Sequence, residues 1–92
     1  MAVEVTFDPD KRAKALAERG LDFARAGEVF AGRHFTAPDL REEYGEDRFI
    51  TMGALDARLV VMVWSPRGAS RRIISMRKAN DREQALYAKR VG

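Results

Sequence analysis

The sequence has no cysteine and a single histidine, His34, and these scarcities remove whole classes of chemistry. Without cysteine there are no disulfides and no thiolate ligands or nucleophiles, which fits a reducing compartment. One histidine rules out acid–base catalysis by a histidine pair. It also falls short of the three or four converging ligands of a zinc centre, so no metal is expected. His34 is read as an ordinary surface or loop residue. A Walker-type glycine loop is missing too; Gly53 and Gly68 stand alone and suit strand and turn geometry. No resident cofactor is expected. The longest strongly apolar run, residues 59–64, is far shorter than the ~20 residues of a membrane helix. Residues 1–5 lack the basic flank and apolar stretch of a secretion signal. The expectation is a soluble, cytoplasmic chain that makes no membrane contact.

What is present is a divided charge. Residues 1–56 carry eight Lys/Arg against twelve Asp/Glu (8 − 12 = −4), and residues 57–92 carry nine against two (9 − 2 = +7). The two halves sum to the net +3 of the chain. Such a split points to a basic face for a polyanion beside a separate acidic region. The 92 residues suffice for one domain, residues 1–92, with a single thin core.

The pattern along the chain predicts an α+β fold. Val3, Val5 and Phe7 alternate with polar residues as in a short half-buried strand. Asp8 and Pro9 supply a helix cap and a proline in the first turn, and Gly20 a left-handed stop. Asp22 opens a second helix with Phe23, Ala26, Val29 and Phe30 on its buried stripe, ended by Gly32. Residues 33–37 form a brief strand candidate, and residues 38–47 a loop bearing Asp39, Glu42, Glu43, Glu46 and Asp47. That acidic loop is either simply solvated or shields the basic cluster. Strands are predicted over 48–55, 58–64 and 71–78, joined by turns at 56–57 and 65–70 into an antiparallel meander. Residues 59–64 are apolar on both alternating faces, as in a central strand covered on both sides. Asn80 and Glu83 have the spacing of a capping box for a last helix from residue 81 to about 90. All helices are expected on one side of the sheet.

Candidate chemistry gathers in the basic segment. Strict alternation through 71–78 puts Arg71, Ser75 and Arg77 on an open face and Ile74 and Met76 on the packed one. Guanidinium groups there suit bidentate phosphate binding. Glu83 and Tyr87, four residues apart, share a helical face turned toward Arg77. The plainer alternatives are a capping residue and a half-buried aromatic.

Three blocks resemble the BrnT toxins of the RelE-like superfamily of bacterial ribonuclease toxins. They are Phe7-Asp8-Pro9-Asp10-Lys11 with Arg19-Gly20-Leu21-Asp22-Phe23 and Glu28-Val29-Phe30; Tyr44-Gly45-Glu46-Asp47-Arg48 with Ile50 and Gly53; and Arg72-Ile73-Ile74-Ser75-Met76-Arg77-Lys78-Ala79 with Glu83 and Tyr87. The resemblance is collinear over nearly all of the chain. Phe7 stands where the family often has tryptophan, and Arg19 where it often has histidine.

The resemblance implies a RelE-like fold, an antiparallel sheet with two N-terminal helices packed on it and a C-terminal helix. It also implies a metal-independent endoribonuclease that inhibits translation. A BrnA-like ribbon-helix-helix antitoxin would neutralise it, so that DNA is met only through that partner. In the site so implied, Arg48, Arg67 and Arg77 bind the scissile phosphate, Glu83 is the general base and Tyr87 positions the substrate or assists proton transfer. Arg71, Lys78 and Arg82 hold the RNA, either free or on the ribosome. The competing expectation is a non-catalytic antitoxin-binding module, a degenerate toxin acting as corepressor in a DNA-bound complex.

Overall fold

The computed structural model describes residues 3–91. Its element order is β1 (Glu4–Phe7), α1 (Pro9–Arg19), a 3₁₀ turn (Phe23–Arg25), α2 (Ala26–Ala31), β2 (His34–Pro38), β3 (Phe49–Leu55), β4 (Arg58–Arg67), β5 (Ser70–Lys78) and α3 (Asp81–Val91). The α+β expectation and the antiparallel meander β3-β4-β5 are both present, and β2 extends it by pairing with β3. The sheet has five strands in the order β1-β5-β4-β3-β2.

Three expectations require correction. The sheet is mixed rather than antiparallel, because β1 runs parallel to β5, with Val5 beside Arg71 and Phe7 beside Ile73. No hairpin ties β1 to its neighbour; it reaches the meander through helices, so nothing local fixes its direction. The second N-terminal helix is also not one helix. Asp22 caps a 3₁₀ turn through Ala24 N–H, and only then does the six-residue α2 follow. Gly27, a weak helix former, sits inside α2, where a side chain would approach Val3 O at 3.4 Å. Finally, the helices do not share one side of the sheet.

The two faces are distinguished by β4. Val60, Met62 and Trp64 pack with Ala15, Leu21, Phe23, Ala26, Val29 and Phe30 from the N-terminal helical segment. Val61 packs on the opposite face with Met52, Ala79, Phe35 and Tyr87, so α3 covers that far face. The doubly apolar residues of β4 therefore have cover on both sides, as read from the sequence. Burial of a large apolar side chain contributes roughly 1.5–3 kcal/mol, which makes these two layers the main stabilising term.

Local signals account for most boundaries. Asp8 caps α1 through Asp10 N–H, and Gly20 closes it at φ 68°. Asp56 and Ala57 both take positive φ, the primed geometry that suits a two-residue hairpin. β4 runs beyond its expected end, through Pro66 to Arg67. The reason is that β3 stops at Phe49 opposite Trp64, so past that point β4 pairs only with β5 and the missing proline N–H faces no strand. Asp22 also receives two hydrogen bonds from Arg12, at 2.7 and 3.0 Å, tying α1 to the 3₁₀ turn. Asp22→Ala is expected to lower stability by about 1–2 kcal/mol through loss of the cap and this link. Urea unfolding would measure it, and a change under about 0.3 kcal/mol would contradict the role.

Candidate functional site

A β-bulge in β5 decides which basic side chains share a surface. Val63 pairs with Ser75 but Trp64 pairs with Ile73, so Ile74 is an extra residue and the alternation resets there. Ile73 and Met76 consequently both belong to the core beneath α1 and α2. Arg71 falls on that same helix side, with Cζ 4.4 Å from the Phe30 ring centre and 4.5 Å from that of Trp64. The open face expected to hold Arg71, Ser75 and Arg77 together does not form. Ser75 and Arg77 lie on the far face, with Arg72 opposite Ser65 before the bulge.

The strand–helix junction after β5 builds the first cluster. Glu83 N–H donates to Asn80 Oδ1 at 2.8 Å and Asn80 N–H to Glu83 Oε1 at 2.9 Å, a reciprocated capping box. The same carboxylate receives both Nη1 and Nη2 of Arg77, each at 2.7 Å. These guanidinium hydrogen bonds hold the Glu83 pKa below the ordinary carboxylate value, against the opposing effect of partial burial, with Asn80 N–H adding to them. Tyr87 follows one turn later, but its hydroxyl donates to Arg33 O at 3.0 Å and its ring stacks on Phe35. Lys78 and Arg82 are exposed nearby, with no ion pair among the described residues.

A second cluster forms at the other end of the far face. Glu46 accepts from Arg48 Nε at 3.2 Å and from Arg67 Nη2 at 2.9 Å. Arg67 Nη1 also donates to Ser65 Oγ at 2.7 Å, and that hydroxyl donates to Asp47 O at 2.8 Å. The Tyr44 ring lies 4.0 Å from Arg48 Cζ. Arg48 and Arg67 are thus brought together, and so are Arg77 and Glu83, but the two pairs are separate. Arg77 is opposite Val61, and Arg67 is six residues farther along β4, roughly 20 Å at about 3.3 Å per residue.

The loop between β2 and β3 contributes what composition did not reveal. Asp39 is buried and accepts from Arg41 Nε and Nη2, each at 2.8 Å, and from the Tyr44 hydroxyl at 3.2 Å. Arg41, absent from the sequence-based candidates, carries its charge close enough to be felt at Arg77. The signal available in the sequence was a tyrosine and two arginines set among the loop carboxylates. An open depression of about 640 Å³ runs along residues 38–49, but Glu42, Glu43, Glu46 and Asp47 line it. With these carboxylates set against Arg48 alone in its lining, it is a poor seat for a polyanion.

Arg41's hydrogen bonds lower the Asp39 pKa from 3.8 to about 2. A depressed folded-state value means the Asp39 contribution is complete above about pH 5 and is lost as pH falls toward 2. The melting-temperature gap between the native chain and Asp39→Asn should therefore narrow from pH 5 to pH 2. A gap constant over that interval would contradict the ion pair.

Residues 7–83 match the family model described as ribonuclease toxin, BrnT, of type II toxin–antitoxin system. No curated protein matches the chain. No helix among the described residues is long and apolar enough to cross a membrane.

Proposed function

The chain belongs to the BrnT family of type II toxin–antitoxin ribonuclease toxins, and from that premise we propose that it is a metal-independent endoribonuclease that arrests translation in the cytoplasm. A BrnA-like ribbon-helix-helix antitoxin neutralises it and supplies any DNA contact. The observation that carries the reading is the two-pronged Arg77–Glu83 pair, oriented by Asn80 at the β5–α3 junction. Metal independence rests on residue types: one histidine, no cysteine, and no converging group of three ligating side chains among the described residues.

In the proposed reaction a ribose 2′-OH attacks the adjacent phosphorus and Glu83 takes its proton. The bond to the 5′ oxygen breaks, that oxygen gains a proton from water, and a cyclic phosphate and a 5′-OH remain. Arg77 turns from Glu83 to the phosphate and stabilises the charge that develops on its oxygens. Lys78, Arg82 and Arg41 raise the local potential for RNA. Tyr87, held by Arg33 O, fixes α3 and so the aim of Glu83; Tyr87→Phe should cost about 1 kcal/mol in stability. Arg71 remains an RNA-binding candidate only through its exposed edge on the opposite side.

Mapping new RNA 5′ ends after brief induction, with Arg77→Ala beside it, tests the reading. No new ends from antitoxin-free protein would sink it. Because Glu83 is held ionised, kcat/KM should stay level between pH 7 and 5; a fall centred near pH 6.5 would assign the base elsewhere.

A second reading, a non-catalytic antitoxin-binding module, draws on one observation. Arg48, Arg67 and Arg77 already hold carboxylates, as they would hold an acidic helix of a partner. Growth arrest abolished by Arg77→Ala and relieved by the antitoxin favours the enzyme.

A further inference from the structure

We infer that the Arg48–Arg67 pair is a second phosphate subsite, taking an RNA phosphate that flanks the cleavage point rather than the scissile one. The inference rests on the ribonuclease reading above and deepens it. Two guanidinium groups, Arg48 from the loop just before β3 and Arg67 from the end of β4, converge on a single carboxylate, that of Glu46. An RNA phosphodiester can take the place of that carboxylate, because its two non-bridging oxygens share one negative charge and can accept from both guanidinium groups at once.

The site is built rather than incidental. Ser65, 1% exposed, holds Arg67 from below while its hydroxyl anchors the loop at Asp47 O. The Tyr44 ring supports Arg48 from the side. The backbones of Arg67 and Arg77 are roughly 20 Å apart along β4, and each guanidinium is held at its own carboxylate, Glu46 or Glu83, so the two present separate phosphate seats. Between them on the far face lie Arg72 and Ser75, polar and partly exposed, along which a strand can run. Glu46 occupies the subsite in the free protein, so RNA must displace it, and the acidic loop acts as a built-in competitor.

Binding of non-cleavable 2′-deoxy oligonucleotides tests the subsite independently of catalysis. Arg67→Ala is expected to weaken an octanucleotide about tenfold and lower the salt slope by about one, but to weaken a dinucleotide less than twofold. Arg67→Lys should fall between, keeping the charge without the fork. Glu46→Gln should tighten the octanucleotide more than Glu42→Gln, which removes an equal charge from the same loop. Equal losses on both lengths would place Arg67 at the scissile phosphate and overturn the inference. So would no loss on either length, or a loss seen only in antitoxin capture, which would assign the pair to a protein partner. If the native protein binds the octanucleotide this way yet cuts no RNA, the subsite stands and the ribonuclease reading fails.

Discussion

Arg77→Ala is expected to slow RNA cleavage by antitoxin-free protein about 10²- to 10³-fold, the usual loss when one donor to a developing oxyanion is removed. The effect should fall on kcat, because the guanidinium is wanted most when charge accumulates on the phosphate. Folding should be little changed. Arg77 has a side-chain exposure of 45%, and its bond to Glu83 competes with water. The substitution also frees Glu83 from the group that lowers its pKa, so residual activity should show a pH dependence shifted upward. Single-turnover kinetics with a melting curve on the same sample would decide the matter. Cleavage within threefold of the native rate, at native stability, would remove Arg77 from the site.

The second large effect is structural. Gly53→Ala should cost about 1–3 kcal/mol, the range for forcing one extra methyl into a filled core. A Cβ at this position of β3 would lie 2.7 Å from Val29 Cγ1, 3.1 Å from His34 Cβ and 3.3 Å from Arg33 O. Two of those neighbours are backbone or next to it, and Val29 is β-branched with few rotamers to escape into. A melting temperature lower by about 4–8 °C per kcal/mol is expected. Val29→Ala alone also destabilises, by removing buried methyls. In combination the two should be less harmful than their sum, by about 0.5–3 kcal/mol. Strict additivity in urea unfolding would show that α2 and β3 do not meet as described.

These two residues mark what could be read in advance. Gly53 is legible as a lone glycine in a strand, and the close approach of α2 is the reason for it. Arg77, Glu83 and the Asn80 box were likewise legible, since each depends on short spacing within one turn or one strand end. The side taken by Arg71 is not legible, because alternation holds only while the strand is regular and the bulge at Ile74 has no distinct sequence mark. The direction of β1 and the side taken by α3 were hidden for a related reason. Each is fixed by distant partners, and a pattern of period two or 3.6 records only which face is apolar. The acidic loop looked solvated because charge counts treat Asp39 and Glu42 alike, although one is buried against Arg41 and the other exposed.

The parallel pairing of β1 with β5 also bears on when the molecule can assemble. Glu4 meets Ser70 and Phe7 meets Ile73, so the first strand must wait for the last. During synthesis at ~5–20 residues per second, β1 has no partner for several seconds after it emerges. The strand that carries Arg77 is also the one that closes the sheet, and such long-range closure slows folding. The nascent chain therefore completes its arginine-bearing surface only after β5 has emerged. That delay leaves an interval in which a binding partner already present can meet the chain before the surface is complete.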